Sequence, residues 1–300
     1  MVKLREGRLR KPPAEKFLKY SIKPLLEMER NQFYYYLWCD MAHTVMLAER
    51  GIISENDAAK ILVCLREIEE KGPDGFHLDP KFGTFLMHVE RYMAEKVGED
   101  VGGKMHTGRS RNDQSACVQR MQAREVILNV IDALIELQRT ILKLAEKYMD
   151  AIMPGYTHFQ HAQPTTFGYY MLSWFYKFER DFQRLKDSYK RTNLNPLGAA
   201  ALVGTSWSLD RNRTAELLGF EGLVVHATDA VCFSPEYPLE IVAALSILMS
   251  NLGRLCADLY SWSTYEFNLI ELPDEYCGTS SIMPQKKNPI SLETIIGMVG

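Results

Sequence analysis

Apolar side chains recur every three or four positions along three long stretches of this chain. Residues 110–149 contain neither glycine nor proline, and residues 169–192 and 239–269 repeat the same spacing. Such spacing places the apolar side chains on one face of an amphipathic helix. Alternation typical of strands is short wherever it occurs, and β-branched runs are brief. The pattern predicts an all-α protein in which three helices of more than 20 residues form a bundle.

Glycine and proline are concentrated between these stretches, which predicts helices joined by functional loops. The clusters are residues 72–83, 98–108, 153–168, 194–206 and 273–289. Earlier in the chain, Ser54 followed by Asp57 predicts a helix N-cap. We therefore expect a small N-terminal helical domain over residues 1–110 and a central long-helix bundle over residues 111–300.

Composition and charge narrow the classes of partner. Thirty-five Lys and Arg against 38 Asp and Glu give a formal net charge of -3, which offers no electrostatic case for nucleic acid or an anionic membrane. The six cysteines show no CxxC spacing, as expected for reduced thiols in a cytoplasmic protein. No N-terminal apolar region and no uninterrupted apolar stretch of 18 residues is present, so neither secretion nor membrane insertion is predicted.

The loop over residues 276–293 carries the side chains needed to hold a carboxylate. Ser280 and Ser281 bring hydroxyls, Lys286 and Lys287 bring ammonium groups, and Asn288 brings a carboxamide. A glycine and two prolines suit an irregular backbone that can bring donors to an anion formed in a transition state. On composition alone, a basic solvated turn is the alternative.

A second loop, residues 102–114, precedes the first long helix. Glycines let the backbone approach a ligand, Arg109 and Arg111 can pair with carboxylates, and a helix N-terminus adds partial positive charge. The loop therefore predicts an anion site. A helix entry with solvated arginines is the alternative.

A third loop, residues 155–166, places His158 and His161 three positions apart ahead of the next long helix. A zinc site is disfavoured because no carboxylate or thiol lies at ligand spacing. Histidines that serve packing or capping are the usual alternative.

The amino-acid sequences of these loops resemble the conserved regions of the fumarase/aspartase lyase superfamily. Thr279-Ser280 through Asn288-Pro289 resembles its signature, with Thr279 where the superfamily has glycine, and Met283–Pro289 and His106–Gln114 resemble the argininosuccinate lyase form. The resemblance extends over about residues 16–300. It implies a fumarase/aspartase-type helical fold and a homotetramer whose active sites each combine loops from three chains. It also implies that no metal or organic cofactor is needed.

The reaction implied by this resemblance is an anti β-elimination that releases fumarate from an N-substituted aspartate such as argininosuccinate, a step of arginine biosynthesis. Carried over residue by residue, Ser280 is the catalytic base, with Ser281 as the alternative base. Lys286 and Asn288 hold the carboxylate whose charge grows, His158 is the second acid/base group, and Glu293 is its partner. The predicted substrate contacts are Ser21, Arg109, Ser110, Arg111, Asn112, Thr157, Gln163, Ser281, Met283 and Asn288.

Two departures from the family concern the amine half of the substrate. Thr84–Leu86 and Cys232–Glu236 lack polar residues that the family carries, so a relative acting on another N-substituted aspartate is the second hypothesis. A third is a non-catalytic, crystallin-like protein on the same scaffold. The chain ends at Gly300 within a predicted helix, whereas the family's chains are longer, so we expect the C-terminal part of the bundle to be missing.

Overall fold

The computed structural model describes residues 12–231 and 236–299. They belong to two compact units. Unit 1 comprises the described residues of Met1–Glu125 and Lys190–Pro235, and unit 2 those of Val126–Tyr189 and Glu236–Gly300. This division follows spatial contacts, whereas the division predicted at residue 110 follows the order of elements along the chain and stays a prediction.

The described residues are mostly α-helical, as predicted. In chain order the α-helices are α1 Glu15–Phe17, α2 Lys23–Asn31, α3 Phe33–Glu49, α4 Glu55–Gly75, α5 Phe85–Val97, α6 Glu99–Gly102, α7 Arg111–Lys147, α8 Phe167–Thr192, α9 Arg211–Leu217, α10 Ala227–Val231, α11 Glu236–Trp262 and α12 Ile290–Val299. A π-helical turn covers Leu18–Ile22, and 3₁₀ turns cover Pro80–Phe82, Gly103–His106 and Asp274–Tyr276.

Extended structure is confined to three two-stranded sheets in the described part of the chain. β1 Ile152–Thr157 pairs antiparallel with β2 Gln160–Thr166, β3 Leu194–Asn195 pairs parallel with β4 Gly222–Leu223, and β5 Gly278–Thr279 pairs antiparallel with β6 Lys287–Asn288. Two of these sheets contain predicted site residues.

An apolar core fills unit 1. Leu37 and Met46 of α3, Ile61 and Leu65 of α4, and Phe85 of α5 are at most 1% exposed. Burying a side chain of this size stabilises a fold by about 1.5–3 kcal/mol. The predicted cap of α4 is confirmed, because Ser54 Oγ accepts the Asp57 N–H at 3.1 Å. These contacts fix α3, the helix that lies beneath the loop over residues 102–114.

The three predicted long helices are confirmed as α7, α8 and α11, but the last one ends earlier than its apolar spacing indicated. The prediction extended the helix to Leu269, whereas α11 ends at Trp262. Ser263 Oγ and Thr264 Oγ1 donate to the carbonyls of Tyr260 and Ser261, at 2.8 and 2.6 Å. Hydroxyl side chains that bond the local backbone compete with helix continuation, which explains the early end.

Gly168 of unit 2 lies at a position that has no room for a side chain. A Cβ on Gly168 would lie 2.4 Å from the Ala145 carbonyl oxygen and 2.8 Å from Met149 Cα. Both neighbours are backbone atoms, so neither can rotate away. The Gly168 N–H also donates to the Tyr148 carbonyl at 3.0 Å. The start of α8 is therefore fixed against the C-terminal end of α7 by the absence of a side chain.

Gly168→Ala should lower the free energy of unfolding by about 1–3 kcal/mol, because α8 must shift to make room for the methyl group. Denaturant unfolding of the purified protein measures this. Gly297→Ala is the matched control, since a Cβ at that helical position meets nothing within 4 Å and alanine favours a helix by about 0.8–1.0 kcal/mol over glycine. Equal stabilities of the two variants would contradict the close approach at Gly168.

One described helix, α11, is long and apolar enough to cross a membrane. An 18-residue window of it has a mean hydropathy of 1.5, and 28% of that window is buried. The exclusion drawn from uninterrupted apolar stretches was therefore too strict. A single such helix is weak support for a membrane span, because the core helix of a soluble protein has the same length and composition.

Candidate active site

The loop that leads into α7 presents three of the predicted substrate contacts at a helix N-terminus. Arg111 is exposed, and Ser110 and Asn112 are half-buried. Ser110 Oγ accepts the Asn112 N–H at 3.3 Å, and Asn112 Nδ2 donates to the Ala201 carbonyl at 3.1 Å. An anion placed here would meet the positive end of the α7 dipole as well as these side chains.

Asp113, which was not among the predicted site residues, fixes this loop by accepting backbone hydrogen bonds within unit 1. Asp113 is fully buried. Its Oδ1 accepts the N–H groups of Ser110 and Gln114 at 2.9 and 3.1 Å. Its Oδ2 accepts those of Gly198 and Ala200, at 2.9 and 3.0 Å. Burial raises the pKa of Asp113, whereas the Arg109 charge and the backbone N–H groups of Ser110, Gly198 and Ala200 oppose the rise. The carboxylate thus joins the loop 108–112 to the loop 198–200.

The Arg109 side chain is buried in the interior of unit 1, unlike those of Ser110 and Arg111. Its side chain is 0% exposed, and its Nη2 lies 2.6 Å from Oδ1 of Asp40, which is also 0% exposed. The predicted contact between the Arg109 guanidinium and a substrate carboxylate is therefore not available in this structure. The physical reason is that a buried guanidinium requires a buried counter-charge, and Asp40 of α3 provides it.

His158 lies at the tip of the β1–β2 hairpin, where the sequence predicted only a loop. His158 and Phe159 form its two-residue turn, with φ of 54° and 57°. Such turns favour asparagine and glycine because both central residues need positive φ. Holding two other residues there costs of order 1 kcal/mol or more each, and strain of this kind is concentrated at functional sites. The hairpin was missed because neither turn residue is a turn former.

A bulge in the same hairpin sets the direction of its tip. Pro154 pairs with Pro164 and Tyr156 with His161, so Ala162 and Gln163 together oppose Gly155. A Cβ on Gly155 would lie 2.8 Å from the Gln163 carbonyl oxygen. Bulges bend a strand and re-aim nearby side chains.

His158 also borders a cleft of about 220 Å³ within unit 2. The hairpin forms one wall, and Tyr170, Arg254, Asp258 and Trp262 contribute to the rest. Tyr170 OH donates to Asp258 Oδ2 at 2.9 Å, and Arg254 Nε lies 3.2 Å from Asp258 Oδ1. Burial raises the pKa of Tyr170, and the Asp258 carboxylate raises it further. The polar groups of this wall are thus largely paired with one another.

Ser280 opens the turn between β5 and β6. The two short strands pair Gly278 with Asn288 and Thr279 with Lys287. Ser280 Oγ accepts the N–H groups of Ile282 and Met283, at 3.4 and 3.2 Å. Hydrogen bonds to the oxygen favour its deprotonated form, which is the form a base requires. Ser281 makes no such bond among the described residues.

The two lysines of this loop have different surroundings. Lys287 Nζ lies 2.7 Å from Asp274 Oδ1 and 3.2 Å from Glu271 Oε1, and the hydrogen bond to Asp274 raises its pKa. Lys286 is exposed and has no ion pair within the described ranges. The Lys286 ammonium group therefore lacks the carboxylate partners that hold Lys287, and its predicted contact with a substrate carboxylate stays a prediction.

Glu293 lies in the first turn of α12, where it accepts a hydrogen bond from Tyr260 OH of α11 at 3.2 Å. This hydrogen bond raises the pKa of Tyr260. The predicted partnership of Glu293 with His158 stays a prediction.

The remaining predicted contacts lie on accessible backbone. Thr157 and Gln163 are exposed on the hairpin, Ser281 and Met283 are exposed on the β5–β6 turn, and Ser21 is exposed in the π-helical turn. Within residues 12–231 and 236–299, no hydrogen bond or ion pair links the hairpin to the β5–β6 loop. The role of each of these residues stays a prediction.

The long helices and these three loops define a class, the fumarase/aspartase-type lyases. A sequence model of the family described as Lyase matches residues 26–300, and the chain belongs to this family. Solved structures agree on the fold: a class II fumarase from Schistosoma mansoni superimposes with a TM-score of 0.76 at 18% identity, covering 98% of this chain and 71% of that one.

The curated relatives are argininosuccinate lyases. The one from Methanocaldococcus jannaschii is 46% identical over 95% of this chain and 58% of its own length, and the one from Methanosarcina acetivorans is 46% identical over 99% and 60%. Among solved structures, an EDDS lyase in complex with formate has a TM-score of 0.84 at 36% identity, covering 100% of this chain and 59% of that one. The chain thus spans about three fifths of the length of these relatives.

Proposed function

We propose that the full-length protein is a carbon–nitrogen lyase that splits argininosuccinate into fumarate and arginine. The observation that carries this proposal is the 46% identity to argininosuccinate lyases over nearly the whole chain. The site geometry supports it: a hydrogen-bonded serine, a lysine without an ion pair among the described residues and an amide lie on one small β-hairpin.

The chemistry that this arrangement supports is an anti β-elimination. Ser280 takes a proton from the carbon next to a carboxylate, and the extra charge is held on that carboxylate as an aci-carboxylate by Lys286 and Asn288. The Cα–N bond then breaks, its electrons leave with the nitrogen, and His158, oriented by Glu293, supplies the nitrogen with a proton. The products are fumarate and arginine, whose protonated nitrogen restores the guanidinium charge, and the protein's own residues move both protons.

Substrate contacts are proposed for the three loops together. Ser110, Arg111 and Asn112 at the α7 N-terminus would bind one carboxylate, with Thr157, Gln163, Ser281 and Met283 placed on the other two loops and Ser21 contributing from the N-terminal segment. Each of these side chains is exposed or half-buried in the chain, as such contacts require.

A homotetramer with sites shared between chains is proposed as well. Large apolar side chains are exposed along each long helix: Val126 45% and Leu142 41% on α7, Tyr169 73% and Tyr176 58% on α8, and Leu239 60% and Val242 57% on α11. Exposed apolar surface of this extent marks an interaction site. A cytoplasmic location is proposed for the same enzyme, because the cysteines in the described part of the chain (Cys39, Cys64, Cys117, Cys256 and Cys277) are free thiols.

A different amine half is the second hypothesis. One departure that motivated it, Thr84–Leu86, is buried in unit 1, where Phe85 contacts the rings of Phe33 and Tyr36. Those side chains are core residues and cannot touch a substrate. The other departure, Cys232–Glu236, falls outside the described residues except for Glu236. The hypothesis is favoured by the similarity to EDDS lyase, because that protein is 36% identical to this chain and is named for a different substrate.

The test is to incubate the full-length protein with argininosuccinate and follow fumarate by its ultraviolet absorbance. We expect fumarate and arginine in equal amounts. Fumarate from another N-substituted aspartate but none from argininosuccinate would establish the second hypothesis. No fumarate from any such substrate would leave the crystallin-like, non-catalytic alternative.

A further inference from the structure

A buried ion pair lies directly beneath the loop that carries Ser110, Arg111 and Asn112. Arg109 Nη2 and Asp40 Oδ1 are 2.6 Å apart, and both side chains are 0% exposed. Asp40 belongs to α3, so the pair joins the loop to a helix 69 residues earlier in the chain.

The same helix makes two more polar contacts with this segment. Gln114 Nε2 donates to Asp40 Oδ1 at 2.7 Å, which ties the first turn of α7 to the same carboxylate. One turn along α3, His43 Nε2 lies 2.9 Å from the Thr107 carbonyl oxygen. Thr107, Arg109 and Gln114 are therefore each attached to α3, and the residues between them have little freedom to move.

The buried pair of Asp40 and Arg109 is not expected to add much to the stability of the fold. Arg109 Nε and Nη1 and Asp40 Oδ2 have no hydrogen-bond partner in the part of the chain that the structure describes. Burial raises the pKa of Asp40, with the Arg109 charge opposing the rise. Replacing a buried pair by apolar residues of similar volume is often neutral or stabilising, so stability alone does not explain the charges.

We propose that Asp40 and Arg109 are positioning residues, which fix the backbone of residues 107–112 so that Ser110 and Asn112 face the substrate. The inference rests on the proposed function only in assigning the substrate to that loop. A rigid loop matters because a misplacement of about 1 Å can cost about 100-fold in rate.

The experiment compares two double variants of the full-length protein. Asp40→Leu/Arg109→Met removes the buried pair but keeps its volume. Glu49→Leu/Arg213→Met is the matched control, because Glu49 also belongs to α3 and its partner Arg213, 2.8 Å away, is partly exposed. Four quantities are measured: the thermal unfolding midpoint, the hydrogen-exchange rates of the amides in residues 106–112, and kcat and KM for argininosuccinate.

We expect the buried-pair variant to keep a cooperative unfolding transition while its loop amides exchange roughly tenfold faster or more. Its KM should rise and its kcat/KM should fall by about 10- to 100-fold, whereas the control keeps both. Wild-type exchange and wild-type KM in the buried-pair variant would overturn the proposal.

The positioning role can still be tested if the double variant does not fold or if the wild-type protein is inactive on argininosuccinate. If the double variant does not fold, Arg109→Lys keeps the charge but not the forked geometry, and the same faster exchange in the loop is expected of it. If the wild-type protein releases no fumarate from argininosuccinate, the proposed substrate is wrong. Hydrogen exchange then decides the positioning role by itself, with unchanged exchange overturning it.

Discussion

Replacing Ser280 by alanine should lower kcat for fumarate release by about 10²–10⁴-fold, the usual contribution of a general base. The structure gives a reason to expect this of Ser280 rather than Ser281. Ser280 Oγ accepts two backbone N–H groups, which favour a deprotonated oxygen. Steady-state kinetics with the full-length protein measures the effect, and KM should change little because the base makes its main contribution in the transition state.

One further measurement and one control variant separate the chemical role of Ser280 from its structural one. Loss of the Oγ acceptor also removes a cap from the turn, which costs about 0.5–2 kcal/mol of stability in helix caps. Thermal unfolding of Ser280→Ala measures that part directly. Ser281→Ala removes a neighbouring hydroxyl without such bonds, and because Ser281 is proposed as a substrate contact and not as the base, we expect KM to rise while kcat stays near wild type. A loss in Ser280→Ala below about 10-fold would be too small for a general base.

The helices α7 and α8 could be predicted from sequence because the spacing of their apolar residues is a local property. α7 and α8 begin and end close to the limits that apolar periodicity and the absence of glycine and proline indicate. The hairpin could not be predicted, since its turn is His158-Phe159 with positive φ and its strands contain paired prolines. Tertiary structure holds that turn, and no local preference of the two residues favours it.

The sequence could not predict which side chains of the candidate site are buried and which are exposed. Arg109 and Arg111 are two positions apart and equally suited to an anion, yet Asp40 buries the first and leaves the second exposed. Likewise, the carboxylates of Glu271 and Asp274 occupy Lys287 and leave Lys286 available. In both cases the deciding partner lies outside the motif.

One sequence feature could have pointed to the buried pair. Asp40 and His43 interrupt the apolar and aromatic run of α3, three positions apart on one helix face. Charged residues in such a setting are rarely buried unless paired, so they predict a polar partner from elsewhere in the chain. The partner's identity requires the fold, because Arg109 and Thr107 approach α3 only in three dimensions.

Mixing His158→Asn chains with Ser280→Ala chains should restore activity that neither variant has alone. The proposed site takes its loops from different chains, and no hydrogen bond or ion pair joins the hairpin to the β5–β6 loop among the described residues. In a random equal mixture, each of the two groups is intact at a given site with a probability of one half. About a quarter of wild-type activity is therefore expected from a symmetric homo-oligomer.

A second mixture provides the control for subunit exchange. Wild-type chains mixed equally with the double variant His158→Asn/Ser280→Ala should give about a quarter of full activity if the two groups come from different chains, and about half if they come from one chain. Exchange is verified by mass spectrometry of chains carrying distinguishable tags. Verified hybrids that show no activity in the first mixture and half in the second would place His158 and Ser280 of one chain in the same site, and the shared-site proposal would be abandoned.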